Sequence, residues 1–215
     1  MTKKTIIQAP CIDQTADWPT GCESVSTVML LQYLGINISV DDFIKKYLPC
    51  RPFEQREGKV IGADPRQEFA GSPYDPESMG CYAPVIRRAL QSVLTDWTER
   101  AGGSGWHIED LTGVPMDRIC TEYLDRGRPV IFWTCIDMKE PIAGPDWYLE
   151  DGGTVFSWVS NEHCMLLVGY DEERYYFNDP WEHHGTIGYP REVVEARHQA
   201  QYEMAVTAYR ISGTA

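Results

Sequence analysis

A chain of 215 residues, 43% hydrophobic and 24% charged, has the make-up of a folded domain with a core of useful size. Its formal net charge of -13 argues against nucleic acid and anionic membranes as partners, because both require clustered Lys and Arg. No apolar run approaches the ~20 residues of a membrane span, and Met-Thr-Lys-Lys-Thr-Ile-Ile at the start lacks the apolar segment of a signal peptide. The expectation is a cytoplasmic protein whose residues 1–215 make one domain.

In chain order, residues 5–9 suggest a short strand before Pro10. Thr20-Gly21-Cys22-Glu23-Ser24 leads into the apolar run Val25 to Leu34, which predicts a central helix ending at Gly35. Thr20 is placed to cap it. Ser39-Val40-Asp41-Asp42 reads as the capped start of a second helix, Ser39 to Tyr47. Residues 50–80 show no periodicity and predict a long surface loop. A third helix spans Tyr82 to Thr98. Gly102-Gly103-Ser104-Gly105 reads as a hinge or tight turn, and Pro115 to Arg126 as a fourth helix stopped by Gly127. The texture then changes. Pro129 to Thr134 is a buried strand, and Thr154 to Val159 and His163 to Tyr170 read as a hairpin turning at Ser160-Asn161-Glu162. Tyr175-Tyr176-Phe177 follows as a strand, Arg191 to Ala200 as a helix, and Met204 to Ile211 as a last strand. A helical first half and an antiparallel second half make the fold class α+β.

Seven cysteines, odd in number and without a C-x-x-C pair, predict reduced thiols rather than a disulfide framework or a four-ligand zinc site. Most cysteines only pack. Cys22 differs because a helix start, with unpaired N–H groups and a partial positive charge, favours a thiolate. Gly21 lets the backbone approach closely and leaves room beside the sulfur. A nucleophilic cysteine needs a base and a group to orient it. His163 opens the most apolar strand of the chain, and Asn178-Asp179-Pro180 closes the next one. Antiparallel pairing across the short turn would return Asp179 to His163, where its carboxylate could fix the imidazole tautomer. Gln14, upstream in a loop, could donate to a substrate oxyanion beside the N–H of Cys22. Among the many aromatics, Trp147 and Trp158 are candidates to line a substrate groove. Adjacent His183 and His184 beside Glu182 lack a third ligand at a natural spacing, so no metal or other cofactor is expected. Glu23, next to the sulfur, would oppose a lowered thiol pKa.

The order Gln, Cys, His, Asp, with a helix behind the cysteine and a sheet under the histidine, resembles the papain-like cysteine peptidases. Gln14, Thr20 to Ser24, Glu68-Phe69-Ala70-Gly71-Ser72-Pro73, Gly80-Cys81-Tyr82-Ala83-Pro84, His163 to Asp171 and Asn178-Asp179-Pro180 are similar to the bacterial peptidases related to the bacteriocin-leader (double-glycine) processing peptidase. The resemblance runs from about residue 8 to 211. It implies a papain-like fold, with Cys22 as nucleophile, His163 as base, Asp179 as orienting residue and Gln14 in the oxyanion hole. The expected substrate is a peptide or small amide, cleaved through a thioester. An amidase or acyl transferase on a small or side-chain amide, and a binding domain of the same fold, remain open. No transporter segment accompanies the motifs, so a role in leader-peptide export is not implied.

Overall fold

The structure, a computed structural model, describes residues 4–101 and 105–210. Residues 102–104 of the expected hinge, and Ile211, lie outside them. Chain order is β1 (Thr5–Ile6), α1 (Cys22–Tyr33), α2 (Val40–Tyr47), β2 (Cys50–Arg51), β3 (Glu54–Arg56), β4 (Lys59–Ile61), β5 (Phe69–Ala70), α3 (Ala83–Ala101) and β6 (Trp106–Asp110). Then come α4 (Met116–Arg118), β7 (Val130–Cys135), β8 (Ala143–Tyr148), β9 (Val155–Val159), β10 (Glu162–Tyr170), β11 (Arg174–Asp179), β12 (Gly185–Pro190), α5 (Arg191–Ala200) and β13 (Ala205–Arg210). The main sheet is antiparallel, in the order β12-β11-β10-β7-β13-β6. β1 pairs with the end of β10, beyond the point where β7 stops at the Leu167–Val130 pair.

Both faces of this sheet are covered, which is why β7 reads as an unbroken apolar run. Its six residues are all buried. The pleat sends Trp133 one way, where its indole N–H donates to Cys81 O at 3.1 Å. Phe132 points the other way and stacks on His198 of α5, ring centroids 3.7 Å apart. α1 packs against β10, β7, α2 and α3. Every residue from Cys22 to Leu31 is buried, so α1 is the buried axis of the molecule. The architecture is α+β.

Four readings are corrected here. Thr20 does not cap α1. The cap position is Gly21, which offers no side-chain bond, and the Thr20 hydroxyl, one residue too early, donates to Ser72 O and Asp75 O. Residues 50–80 are not one surface loop, because β2 pairs with β5 and β3 with β4, and Phe69 and Ala70 are buried. The segment Pro115 to Arg126 is not a regular helix. It tightens and widens through α4, a π turn at Ile119–Tyr123 and a 3₁₀ turn at Leu124–Arg126. Finally, β9 and β10 are not a hairpin. β9 pairs with β8 in a second sheet, β3-β4-β8-β9. Asn161 makes the crossing possible, its side chain accepting from Ile142 N–H and donating to Glu140 O, both at 2.9 Å. The strands β6, β8 and β12 have no counterpart in the sequence reading. Among the described residues, no helix is long and apolar enough to cross a membrane.

Candidate active site

The C-terminal start of the site is set by the pleat of β10. Successive side chains face opposite ways, so Glu162 turns to the face that carries α1 and His163 to the opposite face, the one Asp179 of β11 shares. His163 Nε2 lies 2.7 Å from Asp179 Oδ1. Both are buried. The antiparallel register Leu166–Asn178 carries Asp179 to this position. With Nε2 committed to the carboxylate, Nδ1 is the nitrogen left for chemistry. The Asp179 carboxylate is fully engaged. Oδ1 also accepts the Trp181 N–H at 3.0 Å, and Oδ2 faces His184 Nδ1 at 2.9 Å and the Tyr189 hydroxyl at 3.5 Å. Burial pushes this carboxyl up, but bonds from His163, His184 and Trp181 outweigh it and hold Asp179 below the ordinary range. His184 is thus a second histidine on the same carboxylate.

A cleft of about 620 Å³, part of it open to solvent, is lined by residues that include Gln14, Cys22, Trp158, Glu162, His163 and Trp181. Gln14 is buried, held by Gln14 N–H to Pro180 O at 2.8 Å and by its Nε2 to Pro19 O at 3.1 Å. An amide nitrogen carries two hydrogens, of which Pro19 O takes one, and the buried Oε1 has no hydrogen-bond partner among the described residues. Cys22 is the first residue of α1, so its N–H has no intrahelical acceptor. Gly21 does allow a close approach, with the Trp18 carbonyl oxygen 3.2 Å from where a Cβ would stand. A Cβ there would come within 2.7 Å of Trp18 Cβ, so the missing side chain faces the Trp18 turn. Trp147 is not at the cleft. It is 2% exposed, donates to Ala63 O at 2.8 Å and packs edge-on against Phe53, within the aromatic cluster of Phe156 and Trp158. The indole is consumed by core burial.

The sulfur is the main surprise. Its thiol donates to Glu23 Oε2 at 3.3 Å. Burial first, then the carboxylates of Glu23 and Glu162, push it well above the ordinary thiol value, against an N–H from Cys164. The helix-start argument for a thiolate is therefore outweighed in this resting arrangement. Glu23 itself is fully buried, and desolvation lifts it to about 7 despite the N–H of Cys81, 2.5 Å from Oε1. Burial and the Glu23 charge push Glu162 well above the carboxylate range. Sequence reasoning marked Glu23 as awkward for a thiolate, but Glu162 carried no signal of its own, since only the fold brings the two together.

A family model for the Peptidase C39 like family matches residues 6–207. A Bacillus anthracis chain described as a C39-like peptidase superposes with a TM-score of 0.82 at 24% identity, covering 98% of this chain and 99% of that one. The uncharacterized protein YvpB of Bacillus subtilis strain 168 is 25% identical over 161 residues, 75% of this chain. The chain spans 58% of the length of that relative. The chain belongs to the peptidase C39-like family.

Proposed function

We propose that this member of the peptidase C39-like family is a cysteine peptidase that cleaves a peptide bond through Cys22, with His163 as base, Asp179 as orienting residue and Gln14 as oxyanion donor. The observation that carries the reading is the orientation of His163. Its Nε2 is fixed on a buried carboxylate, and His163, Cys22 and Gln14 are among the residues that line one cleft.

The chemistry follows in steps. The Cys22 thiol leaves Glu23 Oε2 by rotation about χ1, a change between staggered wells. It then gives its proton to His163 Nδ1. The imidazolium is stabilised by Asp179, which keeps its own charge. The thiolate attacks the substrate carbonyl carbon, and the oxyanion accepts from the second Gln14 amide hydrogen and the Cys22 N–H. Collapse expels the amine, which takes the proton from His163. Water, activated by the neutral imidazole, then hydrolyses the thioester and restores the thiol.

Hydrolysis of a fluorogenic peptide library checks this. Cys22→Ala should abolish turnover while leaving the circular dichroism spectrum unchanged, and a peptide aldehyde should protect Cys22 from alkylation. Turnover that survives Cys22→Ala would remove the nucleophile from the scheme.

A further inference from the structure

The nucleophile sits beside two carboxylates that the peptidase chemistry does not use. Cys22 is 6% exposed, Glu23 0% and Glu162 7%. One ligand atom from each (Sγ and two carboxylate oxygens) lies within 4.8 Å of both others. Glu162 Oε1 is buried and has no hydrogen-bond partner among the described residues. No Lys, Arg or His is ion-paired with either carboxylate among those residues. The backbone makes room for the pair. A Cβ at Gly80 would sit 2.5 Å from Glu23 Oε1, 3.3 Å from Glu162 Oε2 and 3.2 Å from the Trp158 ring. Two acids are thus gathered over a glycine, next to a sulfur, with one oxygen left over.

We propose that Cys22, Glu23 and Glu162 bind a thiophilic divalent cation of the zinc class, and that the bound cation holds the nucleophile out of reaction. A thiolate with two carboxylates is a donor set that zinc accepts, with Zn–S near about 2.3 Å and Zn–O about 2.0–2.2 Å. Tetrahedral ligands at those lengths stand roughly 3.5 Å apart, and Sγ already stands 3.3 Å from Glu23 Oε2. Glu23 can hold the Cys81 N–H with Oε1 while Oε2 faces the ion. Cys22 and Glu162 both line the cleft, so the fourth position opens to water there. Binding displaces the thiol proton and any proton shared by the carboxyls. Soft sulfur selects zinc or cadmium over magnesium and calcium. Binding stands without the peptidase reading; the inhibitory consequence rests on it.

Cadmium alone is the probe, because a thiolate–Cd2+ bond gives an ultraviolet charge-transfer band. The exposed thiols are first removed, as Cys11→Ser with Cys50→Ser. That protein should show the band, saturating at one Cd2+ per chain, and Zn2+ should compete it away and slow alkylation of Cys22. Glu162→Gln should weaken Cd2+ binding at least about tenfold, since losing even a group that only supports a ligand costs about that much. Gly80→Ala should do the same by displacing the carboxylates. Absence of the band in the Cys11/Cys50 variant, or equal affinity in Glu162→Gln, overturns the site, and the first result needs no further variant to fold. A band from a chain that hydrolyses no peptide keeps the metal site and removes the peptidase. Zn2+-insensitive hydrolysis through Cys22 does the reverse.

Discussion

Asp179 is the residue on which the geometry of the candidate site turns. Four donors converge on one buried carboxylate: two imidazoles, the Trp181 N–H and the Tyr189 hydroxyl. An acceptor-only group satisfies all four without choosing between the histidines, whereas an amide offers one oxygen and one nitrogen. Asp179→Asn therefore forces an N–H against His163 or against His184, and it cannot stabilise an imidazolium. Its kcat/KM on a cleaved peptide should fall about 10²–10⁴-fold, the range set by a wrong tautomer in a triad. His184→Gln leaves Oδ1 untouched and loses only an outer donor. It should cost about tenfold, near 1.4 kcal/mol, and appear as a change in the pH profile rather than in KM. Equal activity of Asp179→Asn and wild type would show that His163 needs no orienting partner. His163 and Asp179 could be paired from the sequence because a short turn joins their strands, so antiparallel register alone brings them near. Glu23 and Glu162 could not be, since their meeting depends on how α1 lies across β10.

At the scale of elements, the legible parts were those whose pattern is local. α1, α2 and β7 announce themselves by apolar runs or the Ser39 cap. β8 and β12 do not, because Ala143–Tyr148 and Gly185–Pro190 carry Gly and Pro and owe their strand geometry to neighbours far along the chain. The false β9–β10 hairpin has the same origin. Two apolar runs around a short polar turn fit a hairpin, and only the Asn161 clamp redirects the chain to another sheet. Strand β1 shows how narrow such non-local pairing is. It lies over a break in the β10–β11 register between Leu167 and Gly169, with Ile7 N–H donating to Val168 O at 2.7 Å. A Cβ on Gly169 would run into the Thr5 carbonyl and come within 2.9 Å of Ile6 Cα. Both obstacles are backbone, so neither can rotate away. Gly169→Ala should lower stability by about 1–3 kcal/mol, as overpacking does, and β1 should lose hydrogen-exchange protection before the rest of the sheet. An unchanged urea midpoint would mean that β1 contributes little to holding the sheet edge.

Across the whole molecule, burial has placed titratable groups on both sides of the central sheet, and they pull stability in opposite directions with pH. On the α1 side, Glu23 is lifted to about 7 from an ordinary value of 4.5. The folded state then binds the extra proton, so its contribution is complete below pH 4.5 and is lost as pH rises toward 7. On the α5 side, His198 is 2% exposed and stacked on Phe132, with its Nδ1–H donating to Trp133 O at 2.9 Å and Nε2 unpartnered. Burial lowers this imidazole to about 4, against the bond to Trp133. Here the unfolded chain binds the extra proton. The cost is absent above pH 6.5, grows as pH falls to 4 and then levels, reaching about 3 kcal/mol from 1.36 kcal/mol per unit. His198→Phe removes that slope while keeping the ring on Phe132. Its stability relative to wild type should therefore rise by roughly 3 kcal/mol as pH is lowered from 6.5 to 4, whatever constant offset the altered packing adds at every pH. Urea denaturation of both proteins at several pH values measures the difference directly, and the Glu23 contribution, present in both, cancels. A difference that stays flat across this window would mean that His198 is protonated equally in the folded and unfolded chain, and that the α5 face of the sheet admits water.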